Sequence, residues 1–148
     1  MAIWQFCCNV INRNKNCDMN HGEFNFSWDE HDLNVKSLSE IKHFLKPQKS
    51  WSLDIKQYGA DESHCLQLMY NGEKIEDISL RLDLRDLSKE IIEAILQFVK
   101  SSNGILLHDD KIIEPDRDAL FHELRNSNSY KFISNPKSYF ENIERRNQ

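Results

Sequence analysis

One dipeptide constrains this chain more than any other feature. Asn71-Gly72 separates an apolar run over 64–71 from a segment in which Ile78, Leu80, Leu82 and Leu84 alternate with Ser79, Arg81, Asp83 and Arg85. Asn-Gly adopts positive φ at low cost, so it favours the tight turn of a β-hairpin. A period of two puts the aliphatic side chains on one face and the charges on the other, which is the pattern of a half-buried antiparallel strand. Such a hairpin needs other elements to cover its apolar face, and an all-helical fold is excluded.

Helices supply the cover. Leu87, Ile91, Ile92, Ile95, Leu96 and Val99 recur at helical spacing, with Asp86 or Ser88 to start the helix and Asn103-Gly104 to stop it. Ser37-Leu-Ser-Glu40 matches a capping box, followed by Leu38, Ile41, Phe44 and Leu45, and Pro47 ends the run. Pro115-Asp116 opens a third helix with Leu120, Phe121 and Leu124 on one side. Asn135-Pro136 opens a last one, packed through Tyr139, Phe140 and Ile143.

Further strands are expected over 2–11, over 50–58 with Trp51, Leu53 and Ile55 on one face, and over Ile105–Leu107 and Lys111–Ile113 around His108-Asp109-Asp110. The asparagine-rich stretch 12–27 predicts a loop. The expectation is one α+β domain over 1–148: an antiparallel sheet of about four strands with helices packed on one face. No internal repeat is visible.

Composition narrows the chemistry. The net charge of −5 argues against a general nucleic-acid binder, because neutralising phosphate supplies most of such a protein's affinity. No segment reaches 18 apolar residues and the start lacks a signal-peptide pattern, so a cytoplasmic protein with no membrane partner is expected. With only four glycines there is no phosphate loop and no G-x-S-x-G elbow.

Cys7 and Cys8 are adjacent and face apart on a strand, so Cys7, Cys8, Cys17 and Cys65 are expected as free thiols. Cys7, Cys8 and Cys17 with His21 come nearest to a metal set, without C-x-x-C or H-E-x-x-H, and neither metal nor cofactor is expected. Cys65 follows His64 directly, so the two face apart on a strand and Cys65 is expected as a buried thiol. A small enzyme using Cys65 or Cys7 with a spatially adjacent histidine is the alternative, and an adaptor domain is another. Asp83 is expected to pair with Arg81 and Arg85 on the strand's polar face.

The distribution of charge is more informative. Between Glu73 and Asp118 twelve acids face seven bases, which accounts for the whole net charge, while the tail from Arg125 onward is positive. Acids on turns can steer a basic partner, although they equally suit a solvated surface with acids at helix starts. Glu73, Glu76, Asp77, Asp109, Asp110, Glu114 and Asp116 are the candidate contacts, with Trp28 as an aromatic anchor. No catalytic residue is assigned.

The ordered features carry a resemblance. The chain opens on Ile3-Trp4-Gln5-Phe6, has a central Trp51 strand, and runs through Asp77-Ile-Ser-Leu-Arg-Leu-Asp-Leu-Arg85. After an apolar helix and a short hairpin ending Ile113-Glu-Pro115, it closes on Ser127-Asn-Ser-Tyr-Lys-Phe-Ile-Ser-Asn-Pro136 and Phe140. It resembles the small bacterial immunity proteins encoded beside polymorphic or contact-dependent growth-inhibition toxins. The resemblance covers most of 1–144; 12–27 and Ser129 depart from the pattern. It implies a protein that acts by binding a cognate toxin domain, with no catalytic residues of its own. Many such toxins are nucleases with basic grooves, which an acidic inhibitor would contest with nucleic acid.

Overall fold

The computed structural model describes residues 2–17 and 23–134. The helix expected after Asn135-Pro136 and the side chain of His21 lie outside them. The strands are β1 (Gln5–Asn12), β2 (Trp28–Asp29), β3 (Pro47–Gln48), β4 (Ile55–Tyr58), β5 (Cys65–Asn71), β6 (Lys74–Asp83), β7 (Gly104–His108) and β8 (Lys111–Ile113). The helices are α1 (Val35–Phe44), α2 (Lys89–Ser101), α3 (Arg117–Asn126) and α4 (Asn128–Ser134).

All strand pairs are antiparallel, in the order β3-β4-β5-β6-β1-β7-β8, and β2 pairs with the start of β6. The sheet therefore has eight strands among the described residues, not about four. The sequence hid β2 and β3, which are two residues long and too short to show an alternation, whereas the β7–β8 hairpin forms where the sequence predicts it. The strand expected over 50–58 shortens to Ile55–Tyr58, and Trp51 and Leu53 are exposed on the turn before it.

The central hairpin forms one residue later than Asn-Gly centring would give. Asn71 pairs with Lys74, so Gly72 and Glu73 form the loop, and Gly72 takes φ 66° at its first position. That is where a II′ turn places its glycine. The β7–β8 turn has Asp109 and Asp110 both at positive φ, 46° and 65°, the requirement of a I′ turn that aspartate tolerates.

The period-two pattern divides the sheet into two faces. Phe6, Cys8 and Val10 of β1 join Ile78, Leu80 and Leu82 of β6 under Ile41 of α1, Ile92, Ile95 and Val99 of α2, and Leu120 and Leu124 of α3. On the opposite face a smaller core of Ile11, Ile105 and Leu107 is covered by Phe24 and Phe26. Segment 23–27 is thus partly a lid on the second face.

Caps follow local chemistry. Ser88 accepts from Ile91 N–H at 3.3 Å and starts α2; Asn103, at φ 56°, ends its C-terminal turn. For α1 the cap is Asn34, whose side chain accepts from Ser37 N–H at 2.9 Å, so Ser37 lies inside the helix and is not its start. The Asn side chain outcompetes the Ser-x-x-Glu box because it lies three residues earlier, at the extended residue before the first turn. No helix among the described residues is long and apolar enough to cross a membrane.

Candidate functional site

The seven acids selected from sequence do not share one surface. Ser79, Asn9 and Leu107 stand in one row across β6, β1 and β7. Glu76 on β6 and Glu73 in the turn before it precede that row, whereas Asp109 and Asp110 follow it beyond β7, so the two groups sit at opposite ends of the sheet. At about 3.3 Å per residue, Glu73 and Asp109 are separated by roughly 26 Å along the strands.

Several of these acids have local work. Asp116 caps α3 by accepting from Ala119 N–H at 2.9 Å. Glu114 receives both terminal nitrogens of Arg13, at 3.2 and 2.5 Å. Asp109 lies 3.3 Å from His108 Nε2. Asp77 lies half-buried beside Asn9, whose Nδ2 donates to it at 2.8 Å. Burial pushes the Asp77 carboxyl above its ordinary value, against the pull of Asn9 and of the Ile78 backbone N–H.

The fold adds acids that the sequence reading passed over. Trp28 pairs with Ile75 and Asp29 with Lys74, which brings segment 28–32 alongside the β5–β6 turn. Burial and the neighbouring Glu30 carboxylate push the Tyr70 phenol up, Lys15 lies 3.7 Å from Asp29, and Glu23 and Glu76 line one cleft with Phe24 and Phe26. Glu23, Asp29, Glu30, Asp32, Glu73 and Glu76 therefore gather at one pole of the sheet, among Lys15 and Lys74. The available signal was the run Asp29-Glu-His-Asp32, which a tally begun at Glu73 omitted.

Trp28 is not a surface anchor. Its side chain is 0% exposed and its Nε1 donates to Val10 O at 3.0 Å. A tryptophan beside an acidic run looks exposed in sequence; pairing of β2 with β6 turns it into the core.

Asp29, His31 and Asp32 bring three possible ligand atoms within 4.8 Å of one another. Asp32 Oδ2 already accepts from Asp29 N–H at 3.2 Å and Asn12 Nδ2 at 3.4 Å, and Lys15 neutralises Asp29, so the group holds together through protein contacts.

The thiols separate as the strand period requires. Cys8 enters the helix-covered core, and Cys7 and Cys65 flank Arg81 on the other face. Burial pushes the Cys65 thiol up to about 11, with Arg81 pulling it back. Burial likewise raises Cys7 and Cys8. Such thiols carry little thiolate near neutrality. His64 is committed elsewhere, bonding Asp83 N–H at 3.0 Å and Asp86 O at 2.6 Å.

The charge pairing expected around Asp83 falls to Arg85 alone. Arg85 Nε and Nη2 reach the Asp83 carboxylate at 3.0 and 2.9 Å, and the guanidinium stacks 3.9 Å from the Trp4 ring centre. Burial opposes ionisation of Asp83, but the bonds from Arg85 prevail and hold the carboxyl below its ordinary value.

Comparison with protein-family models, with curated proteins and with solved structures finds no match for this chain.

Proposed function

We propose that this chain is an immunity protein, which neutralises a cognate bacterial toxin domain in the cytoplasm by laying its acidic pole on a basic surface of that domain. The observation that carries the reading is the assembly of six carboxylates from two distant stretches of chain, 23–32 and 73–76, at one end of the sheet. Opposite potentials speed encounter and suppress wrong partners. If the toxin is a nuclease, the same pole competes with nucleic acid for its cationic groove. Half-buried Phe24 and Phe26 line a cleft of about 640 Å³ within the pole and offer apolar contact beside the charges. The raised thiols and the occupied ring of His64 give the enzyme alternative less support.

The test pairs binding with protection. A candidate toxin domain, sought in the gene directly upstream, is co-expressed with this chain in a sensitive bacterium, and the complex is isolated by size exclusion. A stable complex together with rescued growth supports the reading. Growth arrest despite abundant folded protein, with no complex, overturns it.

A further inference from the structure

Arg81 is the member of the Arg-Leu-Asp-Leu-Arg segment that structure leaves open. It sits on the face of the sheet away from the helices, in a row between Cys65 and Cys7. Among the described residues no carboxylate lies within ion-pair distance of it, and Nη1 donates to Asp61 O at 3.3 Å. A guanidinium carries five N–H donors, so most of its fork is available.

The guanidinium lines a cleft of about 300 Å³ together with Ala2, Trp51, Asp61, Glu62 and Gln67. That volume lies at the lower end of small-ligand sites. Its wall is fixed by backbone carbonyls. Asp61 O accepts from Gln5 Nε2 at 2.9 Å as well as from Arg81, Glu62 O from Trp4 Nε1 at 2.9 Å and Arg85 Nη2 at 3.2 Å, and Ser63 O from Gln5 Nε2 at 2.7 Å. Gln67, only 8% exposed, forms the floor. Its Nε2 donates to Gln57 Oε1 at 2.8 Å, and Gln57 in turn donates to Asp61 Oδ1 at 2.9 Å. This relay sets the Gln67 amide orientation and ties down one oxygen of Asp61. Trp51, 79% exposed, stands at the mouth.

The lining carries both signs: Arg81 on a strand, and Asp61 and Glu62 on a turn whose backbone carbonyls are tied down, with one oxygen of the Asp61 carboxylate fixed by Gln57. A simple anion would meet Asp61 and Glu62, and a simple cation would meet Arg81. We propose that the cleft binds an amino-acid-sized zwitterion, with its carboxylate on the Arg81 fork, its ammonium towards Asp61 and Glu62, and its side chain against the Trp51 indole. Charge-assisted bonds at preorganised groups supply the selectivity. The site is separate from the acidic pole and does not depend on the reading of that pole.

Tryptophan emission reads it directly: Trp28 is buried, Trp51 stands exposed at the mouth, and Trp4 bonds the wall at Glu62 O, so Trp51 is the indole that touches the ligand and Trp4 a second, indirect reporter. The intact chain is titrated with free amino acids, with their amides, which lack the carboxylate, and with their N-acetyl forms, which lack the ammonium. The expected result is a saturable change with at least one free amino acid, weakened about tenfold or more by either block. Most of the change is lost in Trp51→Phe, and Arg81→Gln loses saturation while its far-ultraviolet circular dichroism stays native. Thermal stabilisation by the same ligand provides a second readout that survives in Trp51→Phe. No saturation with any free amino acid in the millimolar range overturns the proposal. Equal binding of the N-acetyl forms overturns the role of Asp61 and Glu62, and with it the zwitterion.

Discussion

The backbone N–H of Asp83 donates to Nδ1 of His64 at 3.0 Å, and this bond sets the tautomer of a buried ring. Nδ1 is the acceptor, so the proton lies on Nε2, which donates to Asp86 O at 2.6 Å. His64 thereby ties the start of β5 to the end of β6 and to the turn before α2. His64→Ala removes both bonds and opens a cavity. An expected loss of about 2–4 kcal/mol is checked by denaturant unfolding. A loss below about 0.5 kcal/mol would contradict this role for the ring.

Gly59 lies where no other residue fits. Its φ is +88°, and a Cβ would stand 1.9 Å from His64 O. The clash is with backbone, which cannot rotate away. Gly59→Ala is expected to cost about 2–4 kcal/mol, through strain and displacement of the β4–β5 connection. Gly72→Ala is the internal comparison: nothing lies within 4 Å, and only the positive φ of 66° opposes it, so the loss is smaller. Thermal melts of the two variants give the ranking.

Asp83 and Asp77 make opposite contributions to acid stability. The Asp83 carboxyl is held below its ordinary 3.8 in the fold, so its stabilisation is complete above that value and is lost as pH falls through the lowered one. Asp83→Asn should flatten the acid limb of the stability curve and lower the plateau at neutral pH. The Asp77 carboxyl is raised, so the fold favours its neutral form, and stability is lost as pH rises through the raised value. Asp77→Asn keeps an acceptor for Asn9 Nδ2 and should raise the melting temperature at pH 7, with the gain shrinking towards pH 3. Melting temperatures from pH 2.5 to 7 decide both signs.

The elements legible in the sequence were those whose residues carry their own pattern. The Leu80-x-Leu82-x-Leu84 alternation, the Ser88 cap of α2, the Asn103-Gly104 stop, the small β7–β8 hairpin and Asp116 at the start of α3 all follow from local chemistry. Long-range pairing was not legible. Trp28 is buried only because two residues of β2 find the start of β6, and nothing local to Trp28-Asp29 announces it. Trp51 and Leu53 obey a strand's period yet stay in solvent, because the chain turns before Ile55 and pairing begins there. The charged groups were countable, but which of them meet depends on strand direction. That is why Glu73 and Asp109, both on turns, end at opposite poles.

The central claim is that the pole around Glu73 and Glu76, and not the turn at Asp109 and Asp110, meets the basic partner. Stopped-flow association of the purified toxin domain with wild type, with a Glu73→Lys, Glu76→Lys double variant and with an Asp109→Lys, Asp110→Lys double variant separates the two poles at equal change in net charge. At low ionic strength the first variant should slow association about tenfold or more and flatten its dependence on salt, while the second stays within about twofold of wild type. Equal slowing by the two variants, or slowing confined to Asp109 and Asp110, would contradict the account.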